Sequence, residues 1–498
     1  MRISVNTGRT IGKRDSMIYG HFIEHFHRQI YGGIYDPQNP LSDEDGLRED
    51  VLEAMRKIKV PILRWPGGCF VSSYHWKDAV GPQRTPTFDK AWRVEDPNTF
   101  GTDEYIRLCR KIGCEPYICT NAGSGSAEEM SDWVEYCNLT DEGKYARMRI
   151  ANGHTDPYRV KYWSIGNENY GSWEIGAKTA QEWGQFVLES AKMMQHVDSD
   201  LELSAAALTD LDWNVNLLRN CGERLSWISI HEYWDPIHQT NDFATYEQSM
   251  AYTADINRSI DKVRGLLSAM GLEKSIRIAF DEWNLRGWYH PNAHTLQRGL
   301  TKADYLDPRD RNDDNTKYTM ADAVFTACFL NVCNRNCDIV GMANFAPIIN
   351  TRGCIYTHHD GIVLRTTYHV FDLYANHLGD TVLDLWSQDA PKLSVTHKNG
   401  ETMLVDALDV VATRKPDGSL AFAAVNKDAT QAGEICFDFG NSFAGKRYRM
   451  HTLVGSGTEA YNDVGHTGAA IESSEWIPYD SSVRIALPAH SVNVIEIE

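Results

Sequence analysis

The chain has 498 residues, 49 of them Lys or Arg and 68 Asp or Glu, giving a formal net charge of −19 with 42% hydrophobic and 11% aromatic residues. Such a length can bury a large core, and since α/β barrels run past ~250 residues as one unit, two domains suffice for it. The acidic surplus argues against nucleic acid and against anionic membranes as partners, because both need clustered Lys and Arg.

The opening segment, MRISVNTGRTIGKRDS, puts charges where a signal peptide needs an apolar core. No apolar run approaches the ~18 residues of a spanning helix. A cytoplasmic location is therefore expected. The eleven Cys are odd in number and scattered through apolar segments, among them Cys109, Cys114, Cys119, Cys328, Cys333 and Cys337. They read as buried thiols in a reducing compartment, and Cys333 with Cys337 has no second pair nearby to make a metal site.

Eight short β-rich runs follow in chain order, at 17–25, 62–68, 115–121, 162–168, 201–208, 227–233, 276–283 and 339–347. Amphipathic stretches separate them. Val51, Leu52, Met55 and Ile58 form one helical stripe within 44–59, and the pattern recurs at 102–112, 127–137, 178–197, 254–270 and 319–335. Eight β/α repeats without a protected edge strand or a Gly-rich dinucleotide loop predict a closed (β/α)8 TIM barrel over 15–377. The polar, aperiodic region 286–318 reads as a long loop over the barrel mouth. Beyond 378 the pattern changes to alternating segments with turn signals such as KPDG at 415–418, which predicts an antiparallel β-sandwich over 378–498. RISVN is a candidate further strand, which would add residues 1–14 to that domain.

Barrel active sites lie at the carboxyl ends of the strands. Here those ends carry Glu24, Asn167 and Glu168, His231 and Tyr233, and Glu282. A carboxylate in an apolar strand is costly to bury without a partner or a task. A lone Glu at a strand end is usually a salt-bridge partner. Two of them, after strands four and seven and each flanked by further polar residues, instead suit acid/base work on one side of a bond and nucleophilic attack on the other.

His21, Glu24 and His25 also spell H-x-x-E-H, a zinc-peptidase pattern that works on a helix. The flanking residues predict a strand and a turn, and on a strand His21 and His25 stand about 13 Å apart, too far for one metal. His358, His359 and Asp360 give an equally weak signal in a loop.

GHFIEH at 20–25, RWPGG at 64–68, IGNEN at 165–169, ISIHEY at 228–233 and FDEWN at 280–284 resemble, in this order and spacing, the α-L-arabinofuranosidases of glycoside hydrolase family 51. The resemblance covers essentially the whole chain. It implies a retaining exo-glycosidase that removes terminal non-reducing α-L-arabinofuranosyl residues from arabinoxylan, arabinan or derived oligosaccharides. By motif, Glu168 resembles the acid/base and Glu282 the nucleophile. Glu24, Arg64, Trp92, Asn167, His231 and Tyr233 match sugar-binding positions. Two positions depart from the pattern, Cys69 where many members have Asn and Arg365 where some have Gln, and both bear on subsite preference.

The resemblance implies no cofactor and no metal, and it suggests a homo-oligomer, a hexamer. Burial beside Trp163 and near an ionised partner is expected to raise the pKa of Glu168. The alternatives are a β-xylosidase or endo-β-glucanase of the same family, and a non-catalytic carbohydrate-binding protein.

Overall fold

A computed structural model describes residues 1–293, 295–440, 443 and 446–498. Eight parallel strands close into a barrel, β1 (Gly20–Phe22), β2 (Ile62–Trp65), β3 (Glu115–Thr120), β4 (Tyr162–Ile165), β5 (Glu202–Ala207), β6 (Trp227–Asp235), β7 (Arg277–Arg286) and β8 (Val340–Phe345). Each pairs with its sequence neighbours, and β8 returns to β1 through Asn344 opposite Gly20. Such strands are covered on both faces, which is why their middles are largely apolar rather than alternating. Met17, Ile62, Tyr117, Tyr162, Trp227, Ala279 and Met342 form a separate buried cluster among the strands.

Helices follow the strands in turn, at Glu49–Lys57, Thr102–Ile112, Ala127–Asn138, Ala180–Val197, Leu211–Cys221, Ile256–Ala269, Met320–Arg335 and Thr366–His377. Several begin with reciprocal caps, as where Thr179 accepts from the Glu182 amide and Glu182 bonds back to the Thr179 amide. The region 286–318 is not the plain loop expected. It contains a helix, Lys302–Asn312, started by a Thr301/Asp304 capping box and interrupted by Pro308. Only Tyr305, Pro308 and Asn312 of it are buried, too few to leave a periodic stripe.

Most of the C-terminal strands, joined by one from the N-terminus, form a ten-stranded sheet that folds back on itself, and Lys392–Thr396 with Thr402–Asp406 and Asn462–Asp463 with His466–Thr467 make separate two-stranded pairs. Phe422 and Phe437 lie on strands with three others between them, yet their rings meet, tilted, with centroids 4.0 Å apart. The enclosed core holds Ile3, Val5, Leu383, Val410, Phe422, Phe437 and Ile495. The strand Arg2–Lys13 lies inside this sheet, antiparallel to Thr381–Gln388 and parallel to Cys436–Asp438. Barrel and sheet share buried side chains, since Val411, Ala423 and Val494 belong to the same apolar cluster as the helix Met320–Arg335. Arg335 adds an ion pair to Asp409 at 2.8 Å. No helix among the described residues is long and apolar enough to cross a membrane.

Candidate active site

Three residues after β4, Glu168 extends over the barrel mouth with its side chain 13% exposed. Its Oε1 lies 3.0 Å from His231 Nδ1 and accepts from Tyr170 at 3.3 Å, while its Oε2 accepts from Trp173 Nε1 at 2.8 Å. Glu282, on β7, accepts from Tyr233 at 2.6 Å on Oε1 and from Arg64 Nη1 at 3.0 Å on Oε2. Carboxylate oxygens of Glu168 and Glu282 and a ring nitrogen of His231 all lie within 4.8 Å of one another.

A bulge in β7 makes this possible. Ala279 pairs with Ser229 and Glu282 with His231, so β7 carries one residue more than β6 over this stretch. Asp281 and Glu282, neighbours on a strand that would normally face them apart, therefore both reach His231, at 3.3 and 3.5 Å. Asp281 is fully buried and accepts from Ser229, at 2.6 Å, and Tyr117, at 2.7 Å. Burial opposes its charge, but Arg64 and His231 overcome that and hold the carboxyl down to about 2.

The same balance decides where the shared proton sits. Burial alone would make His231 neutral, but Glu282, Asp281 and Glu168 surround it and hold the ring up to about 10. Burial pushes Glu168 up, yet the hydrogen bond and charge of His231, with Trp173 and Arg64, hold it below its ordinary range. The expected rise of Glu168 is thus reversed in the free protein, because His231 keeps the proton.

Arg64 is fully buried and ties the two halves together, donating to Glu282 and, at 2.9 Å, to Asn167 Oδ1. Glu24 is 5% exposed, and its Oε1 accepts from Trp92 Nε1 at 2.8 Å and from the Phe70 amide at 3.1 Å. Burial, then the charge of Glu282, push the Glu24 carboxyl up to about 8. With Oε1 taking both donors, the neutral acid has Oε2 and its proton left for a ligand hydroxyl. Gly68 makes room for this carboxyl. Its φ is +33°, and a Cβ there would stand 2.1 Å from Oε2 of Glu24. The thiol of Cys69 lies within 4.8 Å of carboxylate oxygens of Glu168 and Glu174.

Nine of the ten residues singled out in the sequence converge here; Arg365 does not. Its fully buried guanidinium donates to Asn315 Oδ1 at 2.7 Å and to the carbonyls of Thr351, Gly353 and Asp313. It pins a loop instead of facing a sugar. That loop carries Arg352, which donates to the Tyr233 hydroxyl at 3.0 Å and lies over its ring. Arg352, Trp173 and Glu174 had no motif to announce them. The H-x-x-E-H residues part company: His21 packs on Phe371, His25 accepts from Trp65 and faces Asp96 at 2.7 Å, and Glu24 takes the bonds described above.

Outside the two carboxylates a cavity of about 520 Å³ opens, lined by Tyr170, Trp173, Leu208, Tyr233, His238 and Trp288 among others.

The Alpha-L-arabinofuranosidase 1 domain matches residues 54–251 and the Alpha-L-arabinofuranosidase C-terminal domain residues 281–491. The chain is 32% identical to the probable alpha-L-arabinofuranosidase C of Aspergillus clavatus, over 99% of this chain and 96% of that one. This chain belongs to the α-L-arabinofuranosidases of glycoside hydrolase family 51. Another family relative, the intracellular exo-alpha-(1->5)-L-arabinofuranosidase of Halalkalibacterium halodurans, is 32% identical over 89% of this chain and 88% of its own. The crystal structure of the Thermotoga maritima alpha-L-arabinofuranosidase in its arabinose complex superposes with a TM-score of 0.86 at 35% identity, covering 100% of this chain and 99% of that one.

Proposed function

We propose that the protein is a retaining exo-α-L-arabinofuranosidase, removing terminal non-reducing α-L-arabinofuranosyl residues from arabinoxylan, arabinan or oligosaccharides derived from them. The separation of Glu168 and Glu282 carries the reading. Oxygens within 4.8 Å of each other match carboxyl groups about 5 Å apart, as double displacement requires, and leave no room for the water of an inverting enzyme.

Glu282, oriented by its hydrogen bonds from Arg64 and Tyr233, attacks the anomeric carbon, and the glycosidic bond breaks as Glu168 protonates the leaving oxygen. The proton comes from the store on His231. Water then attacks the glycosyl ester with Glu168 as base, releasing the sugar with its configuration retained. The step balances with water alone. Asn167 is placed to bond the 2-hydroxyl, a contact that strengthens as the ring flattens. Glu24, Trp92, Arg64 and Asn167 are each at most 5% exposed, so a sugar held by them is walled in on that side of the scissile bond, which supports exo action. The aromatic cavity on the other side of the scissile bond takes the rest of the chain.

The decisive measurement is product stereochemistry by NMR on an aryl α-L-arabinofuranoside, with aryl β-D-xyloside and glucan as controls. First-formed α-arabinose is expected; the β-anomer, or turnover of xyloside or glucan alone, would overturn the reading. Glu282→Ala should abolish turnover on every substrate. Glu168→Ala should still form the glycosyl ester from substrates whose leaving group needs no proton, with azide restoring its breakdown. A cytoplasmic location and a homo-hexamer complete the proposal, supported by family membership and open to fractionation and sedimentation.

A further inference from the structure

Six residues beyond Glu168, in the same loop, Glu174 buries a second carboxyl, 4% exposed, to which the mechanism above gives no task. Ser72 Oγ donates to its Oε1 at 2.5 Å, the Cys69 thiol donates to it as well, and Asn167 Nδ2 points at its Oε2 from 3.4 Å. Among the described residues no Arg, Lys or His pairs with it. Lys178, four residues on, donates instead to the carbonyls of Ala122 and Gly176.

The groups facing Glu174 are therefore Cys69 and Ser72 from the turn after β2, and Asn167 and Glu168 from the end of β4; behind Cys69 stands Glu24. Cys69 is held as a neutral thiol, pushed well up by burial and by the three carboxyls around it. Two consequences follow from this placement. The Asn167 amide is gripped from both ends, its oxygen by Arg64 and its NH2 by Glu174. And Glu168 has, within 4.8 Å, a like-charged neighbour that no cation neutralises.

We propose that Glu174 is a positioning residue of the catalytic centre that orients Asn167 and sets, through its own charge, the pH at which the Glu168–His231 pair gives up its proton. The inference rests on the roles given to Glu168 and Glu282 above. Burial first, and then the charge of Glu168, push the Glu174 carboxyl up to about 7, so its charge changes near neutral pH. When ionised it strengthens the hold of the neighbouring pair on its proton, by the repulsion of like charges.

The test is Glu174→Gln, which keeps the shape and removes the charge. In the pH profile of kcat/KM on an aryl α-L-arabinofuranoside with a poor leaving group, the alkaline limb is expected to move down by about one pH unit while the acid limb stays. Glu174→Leu, which also frees Asn167, should in addition raise KM. A uniform loss across pH with both limbs in place would show a merely structural residue and overturn the proposal. A second readout needs no substrate. Carboxyl 13C NMR of the full-length protein should show Glu174 titrating near neutrality and moving to lower pH in Glu168→Gln; a titration unmoved by that change would also overturn it. If the enzyme instead proved inactive on arabinofuranosides, the functional reading would fall while this coupling could still be measured.

Discussion

His231 stands between three carboxylates, at 3.0, 3.3 and 3.5 Å, and the proton its ring holds offsets negative charge inside the barrel. Its hold extends to about pH 10, well above the ordinary imidazole value of 6.5. The corresponding stabilisation is complete below 6.5 and is lost as pH rises through 10. His231→Gln removes the store. On substrates with poor leaving groups its alkaline limb should fall by more than that of Glu174→Gln, and activity at pH 7 should drop about 100-fold. Good leaving groups should be largely spared. A limb left in place would mean the proton is held elsewhere. The two carboxylates were legible because a Glu at a strand end, amid polar neighbours, has few bland explanations. The proton's address was not, since it depends on distances among three strands.

At the scale of elements, the turn after β2 does two jobs. Gly68 backs the Glu24 carboxyl and Cys69 reaches Glu174. Gly68→Ala would drive a Cβ into Glu24 at a positive φ, at a backbone cost of about 1 kcal/mol. We expect KM to rise more than Tm falls. Arg365 gives the opposite expectation. Because its donors go to a loop, Arg365→Gln should lower Tm, and any loss of activity should follow from the displacement of Arg352. A rise in KM with Tm unchanged would return Arg365 to the sugar site.

The eight barrel strands could be read because each is buried on both faces and bounded by turns. The helix Lys302–Asn312 could not, because its three buried residues leave no stripe. Nor could Arg352 and Glu174, which sit on aperiodic loops and meet Tyr233 and Ser72 from distant parts of the chain.

For the whole molecule, the site sets a pH dependence of stability. Glu24, Glu174 and Asp89, the last accepting from the backbone amides of Ala91 and Trp92, are raised to about 8, 7 and 7, with burial the leading cause in each. A carboxyl raised in the folded state binds its proton more tightly folded than unfolded, so stability falls as pH climbs from the ordinary carboxylate range toward 8. His231 acts in the same direction above 6.5. Buried His21, His27, His238 and His369, lowered by burial, act the opposite way, so the variant carries the test: Glu24→Gln should raise Tm at pH 8 relative to pH 5 compared with the parent, and an unchanged difference would contradict the Glu24 environment. Deleting residues 1–14 would leave Thr381–Gln388 without one of its two neighbours and uncover the edge at Gly433–Asp438. We expect insoluble protein, whereas a soluble, active barrel would show that the sheet tolerates the gap.

The place of that strand also imposes an order in time. Residues 2–13 are synthesised long before their partners at 381–388 and 436–438, so the barrel can close while this segment still waits. Arg2, Arg9 and Lys13 keep it charged during the wait. A chain cut short after the barrel would already hold both carboxylates and would leave the strand Arg2–Lys13 without its partners, an unpaired edge open to association.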